Sequence, residues 1–261
     1  MDKPKVVVYQ VASVDGRLAF TPAVPMLFVL EKWQQITGED EPLSFDVAEW
    51  LKATHEPQVW LEGSGSFVSR GQRAQPLPTF EGDAERLYED FLPDPVIDHP
   101  DLQGWGVVVD SRGRGRNWLK WVDEGWHILI LVSERTPADY LAHLRREEIP
   151  YLVVGEGRVD LRLALERLKS ELDVNCVLST AGGKLNGALL RDGLVDEINV
   201  HVFPVVIGGT ETPALFDSPD LGPEEWPTRL KLISTQTLAE GHVWLRYEID
   251  CSEFSSQEEN A

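Results

Sequence analysis

"STAGGKLNGALLRDGLVDEINVHVFPVVIGG", residues 179–209, combines the end of one predicted strand, a short helix and a second strand. Glycine pairs precede the helix and follow the second strand, at Gly182-Gly183 and Gly208-Gly209. Because glycine has no Cβ, it permits positive φ or lets a ligand lie directly against main-chain N–H groups. The helix after Gly183 offers free N–H groups and a positive dipole end, which suit phosphate or pyrophosphate. The stretch therefore predicts the edge of a binding site for a phosphorylated ligand.

Further strands are predicted from β-branched runs that lack clean alternation, a pattern typical of strands buried on both faces. They are "KVVVYQVAS", "GWGVVVDS", "HILILVS", "YLVVGEG", "VNCVLSTAGG" and "EINVHVFPVVIGG". Helices are predicted at about 138–147, 160–171 and 184–193, with Asp160 as the N-cap of the second. Less regular helical patterns lie around 28–37 and 44–54.

The chain ends in two alternating runs, "RLKLISTQTLAEGHVWLRYEI", around a short turn at Ala239-Glu240-Gly241. This pattern predicts an antiparallel hairpin. Helices between buried strands favour parallel pairing elsewhere, so the predicted fold class is α/β with a mixed, mostly parallel sheet.

Composition narrows the class of protein. The 261 residues carry a formal charge of −20, which disfavours nucleic acid and anionic membrane as partners. Cys176 and Cys251 are the only cysteines, so neither a disulfide framework nor a cysteine zinc site is predicted. The N-terminal apolar run is too short for a secretory signal, and no stretch approaches the roughly 20 apolar residues of a membrane span. We therefore expect a soluble, cytoplasmic protein.

Four predicted strands end in small or glycine-rich segments. In an open α/β sheet, ligands bind at the carboxyl ends of the strands, so these ends predict one shared site. The alternative is that the glycines only form turns, and "GEGRVD" is a weak dinucleotide motif because Asp160 replaces its third glycine. The segments are "WLEGSGS" (60–66), "VVVDSRGRG" (107–115), "LVVGEG" (152–157) and "VLSTAGG" (177–183).

Charged residues add candidates for this site. Arg112, Arg114 and Arg116 form a cluster that suits a phosphate, with a solvated loop as the alternative. A second, weaker pair is Arg70 and Arg73. Asp15, between a buried strand and Gly16, either faces a ligand or forms a turn or cap.

Several catalytic motifs are absent from the sequence. It contains no H-E-x-x-H, no G-x-S-x-G and no H-x-E paired with P-C-x-x-C. Metal-dependent hydrolysis, serine hydrolysis and zinc-dependent deamination are therefore not predicted, and no metal site is expected.

The order of the motifs resembles the reductase domain of riboflavin biosynthesis, a relative of dihydrofolate reductase. "VVVYQVASVDGRLA", "LEGSGS", "VVVDSRGR", "LVVGEGRVDL" and "GGKLNGALLRDGLVDEINVHVFPVVIGG" carry the resemblance, which spans about residues 5–250 and is most specific over 181–209. It implies a three-layer fold, one reductase-like domain over 1–250, a homodimer, and NADPH as hydride donor. The implied substrate is a small molecule, a pyrimidine ribosylamino phosphate reduced at its ribose C1′. Residues 251–261 are predicted to be a disordered acidic tail.

The resemblance also implies site residues. Asp15 would act beside the substrate as the catalytic residue, with Thr180 and Asn186 also on the substrate side. Predicted cofactor-binding residues are Gly63, Ser64, Gly65, Ser66, Ser111, Arg112, Gly155, Gly182, Gly183 and Leu185.

Two departures from the family pattern concern the substrate. "TAGGKLN" stands where the family carries a Glu in E-G-G-x-x-L-N, and no D-D-P-x-L-x-x-R follows "GSGSFVSRGQR". Two alternatives to the riboflavin-pathway reductase therefore stay open. One is a reductase with another substrate, and the other is a catalytically silent nucleotide-binding or oligomerisation module.

Overall fold

The protein is described by a computed structural model that covers residues 2–24, 31–32, 35, 45–68 and 75–250. All ten strands found there belong to one sheet, with the order β4-β5-β3-β2-β7-β1-β8-β10-β9 and β6 paired with β5. The strands are β1 (Lys5–Ser13), β2 (Val59–Gly63), β3 (Gly104–Val109), β4 (Trp121–Asp123), β5 (Trp126–Val132), β6 (Tyr151–Val153), β7 (Cys176–Ser179), β8 (Glu197–Phe203), β9 (Leu230–Thr237) and β10 (Val243–Ile249).

Within the described residues, five helices with defined bounds accompany the sheet: α1 (Phe45–His55), α2 (Asp94–Ile97), α3 (Ala138–Arg146), α4 (Leu161–Leu172) and α5 (Gly183–Arg191). Asp160 caps α4, since its side chain accepts a 3.0 Å hydrogen bond from the Leu163 N–H. The cap satisfies one of the N–H groups that have no partner within the helix.

Most strand pairs are parallel. β1 pairs in parallel with β7 and β8, and β2 pairs in parallel with β3 and β7. The antiparallel pairs are β4 with β5, β8 with β10, and β9 with β10. The predicted mixed, mostly parallel sheet and the C-terminal hairpin are therefore confirmed.

Helices cover both faces of the sheet, which makes three layers. On one face, Leu165 and Leu168 of α4 and Leu189 of α5 pack with Val8 and Val177. The opposite face carries two clusters: Leu141 and Leu144 of α3 against β5, and Val47 and Leu51 of α1 against β1. Burying apolar side chains on both faces explains why the central strands are almost uniformly apolar.

The predicted helices 138–147, 160–171, 184–193 and 44–54 all occur, with ends within two residues of those expected. The short edge strand β4 was missed because its three residues are all exposed and carry no buried pattern. Most of the predicted helix 28–37, as well as Arg70, Arg73 and the tail at 251–261, lies outside the described residues.

In the part of the chain that the structure describes, no helix is both long enough and apolar enough to cross a membrane.

Candidate functional site

Loops from several strands meet at the carboxyl edge of the parallel sheet. Ser64, just after β2, lies 3.4 Å from Arg114 Nη2 in the loop after β3. A β-carbon at position 63 would lie 3.9 Å from Leu185 Cδ2 of α5. In the adjoining loop, the Val159 N–H donates a 3.1 Å hydrogen bond to Ser111 Oγ. The four glycine-rich strand ends are therefore brought together, as parallel topology requires.

The two glycines of the first pair have different environments. Gly182 is exposed, has extended backbone (φ −65°, ψ 165°), and has no other atom within 4 Å of where a β-carbon would lie. Gly183 is buried, and its β-carbon would lie 1.9 Å from the Ala214 carbonyl oxygen. The backbone of Asp217 also donates a hydrogen bond to Gly183 O, at 2.9 Å. Gly183 thus packs against the 214–217 segment, and Gly182 is the glycine that an approaching ligand can reach.

The second glycine pair forms a turn. Gly208 and Gly209 have φ angles of +74° and +86°, in the left-handed region that glycine adopts without strain. A β-carbon at position 209 would also lie 2.4 Å from Thr212 Oγ1. The backbone conformation of this turn accounts for the pair.

Asp15 fastens this turn to the end of β1. Its carboxylate accepts hydrogen bonds from the N–H groups of Ile207 (3.0 Å) and Gly208 (2.7 Å) and from Ser13 Oγ (2.6 Å). These hydrogen bonds, that of Ser13 first and that of Ile207 next, lower the pKa of Asp15 to about 2. The carboxylate is therefore ionised at neutral pH and joins two loops of the site edge. Its catalytic role and its contact with substrate stay predictions.

The end of β2 carries a carboxyl group that the sequence interpretation did not single out. Glu62 is half-buried and accepts hydrogen bonds from Ser66 Oγ and Thr180 Oγ1, both at 2.6 Å. Burial raises the pKa of Glu62, although the two hydroxyl groups and the Gly63 N–H oppose that rise. Thr180, predicted on the substrate side, therefore binds a carboxyl group of the neighbouring strand.

Asn186 lies below the surface of this edge. It is fully buried, its Oδ1 accepts a hydrogen bond from Ser179 Oγ (2.7 Å), and its Nδ2 donates to the Ala181 carbonyl (2.6 Å). Gln10 Nε2 donates to the same carbonyl. The structure thus gives Asn186 a positioning role for the loop before α5, and its predicted contact with substrate stays untested.

The three arginines of the loop after β3 have different environments. Arg116 donates hydrogen bonds to the carbonyls of Gly113 (2.8 Å) and Gly115 (2.6 Å), so its charge holds the loop together. Arg114 is partly buried, and burial first, then repulsion from Arg112, lowers its pKa. Arg112 is exposed and has no hydrogen bond or ion pair recorded among the described residues. Arg112 is therefore the arginine whose charge is most available to a ligand.

Gly155 is the last of the predicted glycines. It has φ +93°, and a β-carbon there would lie 2.3 Å from the Arg158 carbonyl oxygen. Its own carbonyl accepts a 3.0 Å hydrogen bond from the Glu134 N–H. The positive φ and the close approach of the Arg158 carbonyl explain why glycine occupies position 155. Contact of Gly155 with the cofactor stays a prediction.

Across the described residues, no group of three or more His, Cys, Asp or Glu side chains is arranged to hold a metal ion.

A three-layer α/β protein with glycine-rich strand ends, Asp15 and the exposed Arg112 at one sheet edge has the architecture in which small ligands bind at the carboxyl ends of strands. Residues 4–244 match the RibD C-terminal domain family, so the chain is a member of that family.

Named relatives agree with this membership. The chain is 36% identical over 135 residues to the 2,5-diamino-6-ribosylamino-4(3H)-pyrimidinone 5′-phosphate reductase of Methanothermobacter thermautotrophicus, covering 51% of this chain and 61% of the relative. The protein of the same name from Archaeoglobus fulgidus is 32% identical over 111 residues, which cover 42% of this chain and 50% of that protein. The matched regions thus span about half to three fifths of these relatives.

Solved structures support the fold. Acinetobacter baumannii RibD aligns over 95% of this chain and 58% of its own, with a TM-score of 0.58 and 19% identity. The riboflavin biosynthesis reductase of Saccharomyces cerevisiae aligns over 95% and 90%, with a TM-score of 0.56 and 15% identity. The expected dihydrofolate-reductase-like, three-layer architecture is therefore confirmed.

Residues missed by sequence reasoning share one signal. Glu62 is the second-last residue of a strand of buried and half-buried residues that leads into a glycine-rich turn, and Asp110 directly follows another such strand. Asp110 is 1% exposed and accepts a 2.8 Å hydrogen bond from the Gly115 N–H. An acidic residue at the end of an otherwise apolar strand is costly to bury without a partner, and that cost was the available clue.

Proposed function

We propose that this chain is a reductase of riboflavin biosynthesis that transfers hydride from NADPH to a ribosylamino-pyrimidine 5′-phosphate. The observation that carries the proposal is the convergence of the glycine-rich strand ends on one edge of a sheet belonging to the RibD C-terminal domain family. The names of the archaeal relatives supply the substrate class. A nicotinamide cofactor follows from a reductase reaction, because the cofactor carries the hydride and the protein supplies position and charge.

NADPH is preferred over NADH in this proposal because of Arg112. An exposed guanidinium beside Ser111 suits the extra 2′-phosphate of NADPH, which NADH lacks. Removing one charge-assisted hydrogen bond costs roughly 1.5–3 kcal/mol, which is about a tenfold to hundredfold loss of affinity.

The first experiment titrates the protein with NADPH and with NADH while following energy transfer from its nine Trp residues to the nicotinamide. We expect tighter binding of NADPH, and Arg112→Ala should lose most of that preference. Arg146→Ala is the matched control, since it removes the same charge from the exposed end of α3, at the opposite edge of the sheet. Equal affinity of the wild type for both cofactors would refute the NADPH assignment.

The substrate assignment is tested by following NADPH oxidation with the ribosylamino-pyrimidine phosphate. Turnover supports the riboflavin-pathway reaction. Tight NADPH binding without turnover would favour a reductase of another substrate, which the hydroxyl group of Thr180 in place of a family carboxylate also suggests. Absence of binding to both cofactors would favour the catalytically silent module.

A homodimer completes the proposal. β9 stands at one end of the strand order, and its Leu230, Leu232 and Ile233 are 42%, 51% and 42% exposed. An exposed apolar edge strand is a template for pairing with a second chain, so β9 is the surface that we assign to the dimer. Sedimentation equilibrium should find a dimer in the wild type and a monomer in Leu232→Lys, whereas Leu163→Lys on α4 should leave the dimer intact. A monomeric wild type would refute this assignment.

A further inference from the structure

Glu62 is a carboxyl group that the proposed function has not used. It lies one residue before the end of β2, between two strands whose ends form the site edge, since β2 pairs with both β3 and β7. Along β2, Leu61 packs on one face, and Trp60 packs on the other. Glu62 therefore shares the face of Trp60, where Thr180 of the β7 loop meets it.

Among the described residues, the groups that hold this carboxyl are neutral. Ser66 and Thr180 contribute one hydroxyl each at 2.6 Å, and the Gly63 N–H contributes the third hydrogen bond. In the adjacent β3 loop, Asp110 accepts a hydrogen bond from the Gly115 N–H and Arg114 donates one to Ser64 Oγ. Arg112 of the same loop is exposed, and no hydrogen bond or ion pair joins it to Glu62 among the described residues. Burial raises the pKa of this half-buried carboxyl, because burial disfavours its charged form, and the three neutral donors oppose the rise.

The proposed reaction consumes one proton, and this inference rests on that reaction. The amino nitrogen that joins the pyrimidine ring to C1′ uses its electron pair to form the C1′=N bond while the C1′–O4′ bond breaks. O4′ must then gain a proton to become a hydroxyl group. Hydride from the nicotinamide then adds to C1′, and the C=N electron pair returns to nitrogen. The products are the ribitylamino compound and the oxidised cofactor, with one proton taken up.

We propose that Glu62 is the catalytic acid that delivers this proton to O4′ of the substrate. The carboxyl group becomes a carboxylate as the ring opens, the hydroxyl groups of Ser66 and Thr180 stabilise that carboxylate, and solvent reprotonates it after release of the product. Positioned general acids contribute about 10²-fold to 10⁴-fold to rate, and they act best when their pKa lies near the working pH.

The test compares the pH profiles of kcat for the wild type, Glu62→Gln, Thr180→Val and Ser66→Ala. An acid that must be protonated gives high activity at low pH and an alkaline limb where it ionises. Glu62→Gln, which preserves the side-chain shape, should lower kcat at least 10²-fold, change KM little and lose the alkaline limb. Thr180→Val and Ser66→Ala each remove a hydrogen bond that lowers the pKa of Glu62, so the limb should move to higher pH.

A structural clamp between β2 and β7 predicts a different result. It would lower thermal stability in Thr180→Val and Ser66→Ala without moving the limb. The inference is overturned if Glu62→Gln keeps kcat within about threefold of wild type, or if its alkaline limb is unchanged.

Infrared spectroscopy tests the protonation state without turnover. At a pH below the alkaline limb of kcat, a protonated carboxyl band should be present in the wild type and absent from Glu62→Gln. If the two proteins show no such difference at that pH, the inference is overturned even in an active enzyme. If the wild type shows this band but does not reduce the ribosylamino-pyrimidine phosphate, the proposed substrate is refuted, whereas the protonated state of Glu62 is supported.

Discussion

The two glycines before α5 predict opposite effects for the same substitution. Gly183→Ala places a β-carbon 1.9 Å from the Ala214 carbonyl oxygen and 2.9 Å from Asp217 Oδ2. Ordinary contact begins at 3.4 Å, so the 214–217 segment must move by about 1.5 Å or α5 must shift. Overpacking of this kind costs roughly 1–3 kcal/mol, less the few tenths that alanine contributes at the start of a helix.

Gly182→Ala meets no atom within 4 Å and keeps a backbone conformation that alanine adopts freely. Such a substitution leaves stability unchanged or raises it by about 0.4–1 kcal/mol. Its methyl group, however, projects into the space where a phosphate would approach the helix N-terminus. If the methyl group prevents one hydrogen bond between a helix N–H group and the phosphate, the affinity for the cofactor should weaken by roughly 1.5–3 kcal/mol.

Urea unfolding, thermal unfolding and NADPH titration of the two variants test these expectations. We expect Gly183→Ala to lose stability, with a fall in Tm of about 2–4 °C for each kcal/mol, and Gly182→Ala to lose affinity while remaining stable. If Gly183→Ala unfolds at the same urea concentration as wild type, the packing argument is wrong. If Gly182→Ala binds NADPH as tightly as wild type, the glycine pair does not border the cofactor.

Two further predictions concern buried or bridging carboxylates. The amide of Asp15→Asn cannot accept hydrogen bonds from both N–H groups of the 207–208 turn, so Tm and turnover should both fall. In the wild type, activity should not decline near pH 3.8, the ordinary pKa of an Asp carboxyl, because the pKa of Asp15 is lowered to about 2. An unchanged Tm in the variant would contradict the bridging role. Glu197, 6% exposed, would by burial alone have a raised pKa, but hydrogen bonds from His55, Lys5, Arg246 and Asn199 hold its pKa well below the usual range. Glu197→Gln should therefore cost on the order of 3 kcal/mol in free energy of unfolding at neutral pH. The difference from wild type should shrink progressively as the pH falls below about 4.5, the ordinary pKa of a Glu carboxyl, because protonation of the wild-type carboxylate then removes its stabilisation. A difference in urea unfolding that does not change with pH would contradict this.

Sequence patterns predicted the elements of this fold because each buried strand and amphipathic helix carries a local signature. The uninterrupted apolar run of β1 and the capping Asp160 of α4 are examples. The exposed strand β9 was found through its hairpin turn, since all but one of its residues are exposed. β4 offered neither signal, so local reasoning had no means to find it.

The candidate site was less predictable, because its contacts join residues far apart in the chain. Nothing near Asp15 in the sequence indicates that its carboxylate binds the N–H groups of Ile207 and Gly208, 192 and 193 residues away. In the same way, the sequence alone does not distinguish the adjacent glycines 182 and 183. Only the position of Ala214 separates a packing glycine from an accessible one.

Thr180 is the residue at which comparison with the family and geometry lead to different conclusions. Measured against the family pattern, Thr180 and Ala181 mark the loss of an acidic residue from the β7 loop, which favours a silent module or a changed substrate. In the structure, the Thr180 hydroxyl group lies 2.6 Å from Oε1 of Glu62, so the neighbouring strand places a carboxyl group at the same edge. Loss of an acid from one loop therefore does not remove acid chemistry from the site. The argument for silence that rests on Thr180 is refuted if the wild type reduces the ribosylamino-pyrimidine phosphate and Glu62→Gln loses that turnover.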